Sequence, residues 1–180
     1  MTKPTITFEK ADRLLDQGKA RRAVKMFERL CQDEPGSHWM LAKLACAMKL
    51  ADDYTGAARA ARRGLKLCDT CPLLLWELAS SLEGGGKYRK AIEVYHELLG
   101  MGIKKVAFGS CPEGLRWGKS LLNDSRYFMA LCYEEIGERD TAVRWYRKHL
   151  KNRQAGIPAQ RTKRHVEKRL QSCINGEPIP

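Results

Sequence analysis

Three short stretches carry residue types that do chemistry in other proteins. Gly118, Lys119 and Ser120 spell the tail of a phosphate-binding loop, in which backbone N–H groups wrap a phosphate and a lysine reaches its outer oxygens. The first glycine of such a loop belongs where Glu113 stands, and Gly114 comes one residue too late. Cys111 and Arg116 approach the spacing of a tyrosine-phosphatase loop, where thiolate and guanidinium share one phosphate. Four residues separate them instead of five. Cys68 and Cys71 have the C-x-x-C spacing of a redox pair or of half a zinc site.

Each chemistry needs a scaffold to aim it, and the surrounding sequence supplies a different one. A phosphate loop needs a buried strand before it and a sheet behind it. The segment before this one, "KKVAF" (residues 104–108), is short and isolated among helical patterns. GKS is therefore read as helix. A thiol at a helix start has a lowered pKa, so an enzyme using Cys111 ranks third among the functional readings, behind a structural position. The Cys68–Cys71 pair has no second C-x-x-C and no paired histidines to complete a zinc site, and no βαβ context for thiol exchange. It is read as packing in a turn. His38, His96, His149 and His165 are scattered and form no H-E-x-x-H or Ser-His-Asp pattern. The expectation is no enzyme, no cofactor and no metal.

The 180 residues suffice for one domain with a real core, and 43% hydrophobic with 30% charged residues describes a folded chain. The N-terminal stretch lacks the apolar core of a secretory signal, and the longest apolar run, "CPLLLW", is far short of the roughly 20 residues that span a bilayer. A cytoplasmic location without a membrane partner is expected, with the seven cysteines reduced and mostly buried. The net charge of +12 is concentrated near the C-terminus, where residues 144–170 hold ten Arg or Lys and one acid, Glu167.

The periodicity decides the architecture. Ala11, Ala45 and Ala79 are 34 residues apart, as are Ala23, Ala57 and Ala91; Ala130 and Ala142 follow each series after 51. Gly18, Asp52, Gly86 and Gly137 keep the same steps. These are four units, the last preceded by 17 extra residues. Each unit holds two helical stripes around a turn, such as Leu75, Leu78, Ala79 and Leu82, then "EGGGKY", then Ala91, Ile92, Tyr95 and Leu98. Alanines let helices approach closely, and Phe27, Tyr95 and Tyr146 fill the space between them.

On these residues the chain resembles the tetratricopeptide repeat (TPR) family over residues 4–153. It departs in lacking the usual first-helix tryptophan, and in having Ala61 where an aromatic is usual. The resemblance implies an all-α, right-handed α-solenoid of four helix-turn-helix repeats. Repeats 1–3 occupy residues 4–105, an insertion at 106–122 extends the first helix of repeat 4, repeat 4 fills 123–153, and a basic capping helix and tail occupy 154–180. It further implies a concave groove lined by first helices, at Phe8, Asp12, Trp39, Ala42, Cys46, Trp76, Ser80, Glu83, Tyr127, Leu131 and Glu134. Phe8, Asp12 and Cys46 stand where chaperone-binding members use Lys, Arg and Asn to clamp a C-terminal carboxylate. An aromatic groove with acidic spots suits an apolar or basic protein segment instead.

Two further elements are marked by local signals. Ser110, Pro112 and Glu113 read as a helix start, predicting one helix of roughly 25 residues, about 37 Å long, whose first turns project beyond the repeat. Pro158 and Gly176 read as the ends of the capping helix, with Val166, Leu170 and Cys173 as its apolar stripe and Arg161, Lys163, Arg164, Lys168 and Arg169 toward solvent. Arg144, Arg147, Lys148 and Lys151 share one face of the preceding helix. The favoured function is a non-catalytic adaptor or scaffold with a protein or peptide in the groove. A nucleic-acid-associated protein using the basic stripe is the alternative. Pathway and oligomeric state are not written in these residues.

Overall fold

The computed structural model describes residues 7–177. Residues 4–6 of the first expected repeat and 178–180 of the expected tail lie outside them. Among the described residues there are nine α-helices and no strand: α1 (Phe8–Asp16), α2 (Ala20–Asp33), α3 (His38–Leu50), α4 (Tyr54–Leu65), α5 (Pro72–Gly84), α6 (Tyr88–Phe108), α7 (Gly114–Glu135), α8 (Arg139–Lys151) and α9 (Lys163–Asn175). They fall into two compact units that divide between Gly85 and Gly86.

The 34-residue period has a direct physical basis. All eight alanines of the two series are completely buried. Each lies inside close packing, where a larger side chain would force its neighbours apart. The turn series is equally uniform. Gly18, Asp52, Gly86 and Gly137 adopt φ of 68°, 64°, 71° and 82°. That left-handed conformation costs an ordinary L-residue roughly 1–2 kcal/mol, which explains glycine at three of the four. Aspartate, like asparagine, visits it more readily than most other residues, and Asp52 accepts a 3.1 Å hydrogen bond from the Tyr54 hydroxyl.

In the first unit, α1 to α5 pack in sequence, and α3 also meets α5. Ser37 and Asp53 cap α3 and α4 by accepting from the N–H of Met40 and Gly56. The core runs through Phe27, Leu41, Leu44, Leu74 and Leu75. Where α4 lacks an aromatic, Ala61 is itself fully buried. Gly64 is equally constrained, since a Cβ there would come within 2.6 Å of the Leu74 side chain.

In the second unit the extra residues are shared between two helices. Gly102, at φ 69° and ψ 165°, kinks α6, which then continues to Phe108. Residues 103–108 pack against the start of α7, with Val106 and Ala107 buried. Gly118 permits the close approach, for a Cβ on it would lie 3.2 Å from both Ile103 Cδ1 and Val106 Cγ1. The long helix begins at Gly114, two residues later than the Pro112 start. Gly114 itself is left-handed at φ 73°, so Pro112 and Glu113 cannot join one continuous right-handed helix with residues 115–135.

The extension of α7 is clad by the α8–α9 linker. Arg116 Nε donates to the Gly156 carbonyl (3.2 Å), Lys119 Nζ to Gln154 Oε1 (2.9 Å) and Ser120 Oγ to the Pro158 carbonyl (2.8 Å). Gln160 N–H donates to Asp124 Oδ2 at 3.2 Å. Pro158 thus lies in the linker. The last helix starts after Thr162, whose hydroxyl accepts from His165 N–H, and ends on left-handed Gly176.

Candidate protein-binding face

The first helices of the first unit present a face built around two lysines. Lys43 of α3 reaches Asp12 of α1, Nζ to Oδ1 2.7 Å. Its ammonium also lies 5.5 Å from the centre of the Phe8 ring and 5.8 Å from that of Trp39. Phe8 is anchored in turn by an edge-on contact with buried Phe27, 6.0 Å between ring centres. Trp39 is 42% exposed, the largest aromatic surface on these helices. Lys49 of α3 points the other way, to α5, with Nζ 2.7 Å from Glu77 Oε2 and 2.9 Å from Ser80 Oγ. The middle helix therefore offers a cation to an acid on each neighbour.

The expected groove residues separate by burial. Phe8, Asp12, Cys46 and Glu83 are half-buried and Trp39 is exposed, whereas Ala42, Trp76 and Ser80 are buried. Ser80 Oγ donates to the Trp76 carbonyl (2.9 Å). Burial, reinforced by the Glu77 charge, pushes the Cys46 thiol up to about 11, so it remains protonated and unreactive at neutral pH. Sequence reasoning missed Lys43 and Lys49. The repeat spacing held the signal for Lys49, which stands 34 residues before Glu83. Lys43 follows Trp39 by one helical turn.

In the second unit the corresponding residues of α7 lie under α9. Tyr127 is buried and its hydroxyl sits 3.0 Å from His165 Nε2. Glu134 Oε2 accepts from the Tyr146 hydroxyl (2.6 Å) and from Arg169 Nε (3.0 Å). Leu131 is half-buried. Arg169, expected toward solvent, is turned inward because the buried Glu134 carboxylate needs a counter-charge. His149, fully buried, shows Nδ1 2.8 Å from the Asn123 carbonyl. A carbonyl only accepts, so Nδ1 carries the proton and Nε2 is free to accept from Arg153 Nη1 at 3.3 Å. Burial lowers the His149 pKa, in keeping with this neutral form.

The other candidates take plain positions. Gly118, Lys119 and Ser120 are helical and contact α6 and the linker. Cys71 is the buried residue that precedes α5, and Cys68 lies half-buried in the turn before it. None of the seven cysteines forms a disulfide among the described residues. Arg144, Arg147, Lys148 and Lys151 are exposed on α8, as are Arg161 before α9 and Arg164 and Lys168 on it. Lys148 Nζ sits 4.1 Å over the Trp145 ring. A hollow of about 570 Å³ also lies beside α2 and α4, floored by Cys31, Leu44, Met48 and Ala60 and rimmed by Glu28, Arg59 and Arg63.

Helix pairs in a 34-residue period, without a strand among the described residues, define an all-α helical-repeat protein of the solenoid class. Family profiles described as tetratricopeptide repeat match residues 8–72 and 125–155, together just over half of the chain. The chain belongs to the tetratricopeptide repeat family. Solved structures with a similar fold include a MamA protein, 20% identical, with 79% of this chain and 68% of that one aligned at a TM-score of 0.62. Another is MamA from residue 41 to its end, from Desulfovibrio magneticus RS-1, 14% identical over 80% of this chain and 72% of that one at a TM-score of 0.64. Among curated proteins no sequence matches.

Proposed function

We propose that this chain is a non-catalytic interaction scaffold that holds an extended or helical segment of a protein partner against the α1–α3–α5 face. The observation that carries the reading is Trp39, exposed beside a lysine that is itself fixed by Phe8 and Asp12. A large aromatic held by its surroundings offers contact area at little entropic cost, the usual character of an interface anchor. The partner segment lays an apolar side chain on Trp39 and Phe8 and brings basic groups to Asp12 and Glu83. Stacked helix pairs give a rigid, extended surface suited to such a segment.

Selection from a random-peptide display library tests this directly. Selected peptides should lose about ten-fold or more in affinity on Trp39→Ala, on the scale of one anchor residue. Equal affinity for both chains would remove the face from consideration. Trp76→Ala is unsuitable as the probe because Trp76 is a core residue, only 6% exposed.

The basic surface of α8 and α9 supports a second reading, association with nucleic acid. Lys163 is paired with Glu167 at 3.5 Å, whereas Arg144, Arg147, Lys148, Lys151, Arg161, Arg164 and Lys168 are exposed without an ion pair among the described residues. Binding to duplex DNA or RNA that weakens steeply with salt, and is lost on Arg161→Glu, Arg164→Glu and Lys168→Glu together, would favour it.

A further inference from the structure

Phe108 (69% exposed), Leu115 (47%) and Trp117 (62%) lie within ten residues of one another and ring the tip of the α6–α7 hairpin. The inner side of that hairpin is closed by Val106 and Ala107 against Gly118. At about 100° per helical residue, Phe108 falls roughly 200° around α6 from Val106. Trp117 and Leu115 fall about 100° and 60° from Gly118, to opposite sides of α7. The exposed groups are therefore spread around the end of the hairpin, on the sides left open by the α6–α7 seam and by the linker that meets Arg116 at Gly156.

The exposed charges around the tip are positive. Lys104, Lys105 and Arg116 are exposed, and neither lysine has an ion-pair partner among the described residues. Between Leu98 and Asn123 the only acid is Glu113, which is half-buried. Aromatic rings settle at the headgroup level of a bilayer, and lysines and arginines beside them are drawn to anionic lipids.

We propose that the α6–α7 tip docks on the surface of an anionic phospholipid bilayer, with Phe108, Leu115 and Trp117 entering the headgroup region and Lys104, Lys105 and Arg116 facing lipid phosphates and carboxylates. This is surface contact. Among the described residues no helix is long and apolar enough to cross a membrane. The sequence-based expectation of no membrane partner rested on spanning segments and a secretory signal, which say nothing of a hairpin tip.

The test is co-sedimentation of the whole chain with vesicles of phosphatidylcholine, with and without phosphatidylserine. The chain should pellet with the anionic vesicles, less so at raised salt, and only weakly with the neutral ones. Phe108→Ser with Trp117→Ser should lower partitioning about ten-fold or more while the far-UV circular dichroism stays unchanged, because both side chains are exposed. Lys104→Glu with Lys105→Glu should also weaken binding. Absence of binding to anionic vesicles would overturn the proposal. So would full binding by the serine variant with loss on Arg164→Glu and Lys168→Glu, which moves the contact to α9. Self-association abolished by the serine pair, without vesicle binding, would assign the tip to a second copy of the chain and equally overturn it.

Discussion

The two lysines of α3 make opposite demands on a substitution, although each contacts an acid at the same distance. Lys43 and Asp12 have side chains 23% and 37% exposed, and a partly solvated pair contributes about 0–1 kcal/mol. Lys43→Ala should leave the urea midpoint nearly unchanged while weakening a bound peptide. Lys49 and Glu77 are 19% and 5% exposed. Removing Lys49 strands a buried carboxylate, so Lys49→Ala should cost about 3–5 kcal/mol in urea unfolding. Asp124 makes a distinct prediction. Burial raises its carboxyl from the ordinary 3.8 to about 6, against the opposing pull of the Gln160 N–H and of Arg153. The folded state then binds this proton more tightly than the unfolded state does. The group's contribution is greatest below about pH 4 and is lost as pH rises from about 4 to 6. Asp124→Asn should match the wild-type chain near pH 4 and exceed it above about pH 6.5. His149 titrates in the opposite sense but is common to both chains, so the difference between their urea midpoints isolates Asp124.

At the scale of helices and turns, the sequence carried whatever is periodic. Ala11, Ala45, Ala79 and Ala130 were legible because each is fully buried at the same place in its repeat, and the left-handed turns because Gly18, Asp52, Gly86 and Gly137 keep the same spacing. Gly137→Ala should accordingly cost about 1–2 kcal/mol in urea unfolding. The insertion was less legible. Its helical content could be read, but the kink at Gly102 and the left-handed Gly114 depend on residues packing across the hairpin, where no repeat supplies a reference. Gly118 fixes that packing. Gly118→Ala should stay within about 1 kcal/mol of the wild type, since the gain in helix propensity offsets a tight contact. Gly118→Leu should cost about 1–3 kcal/mol by forcing the two extensions apart. Side-chain partners were the least legible of all. Arg169 read as surface because a cation on a terminal helix usually is, and only the position of Glu134 shows why it turns inward.

At the scale of the whole molecule, the features that bear on function are surfaces. The buried polar networks of α7, α8 and α9 bind the linker and the last helix in place, and the Cys46 thiol is held in its protonated form. What remains available is surface: the Trp39–Lys43 face in the first unit, and the basic helices and apolar hairpin tip in the second. The most direct test of the binding face is an NMR titration of the isotope-labelled chain with a display-selected peptide. Amide shifts should move along α1, α3 and α5, most strongly around Trp39 and Lys43, and the same titration of Trp39→Ala should show almost none. Shifts centred on α2 and α4, around the hollow rimmed by Arg59 and Arg63, or on α8 and α9, would contradict the account.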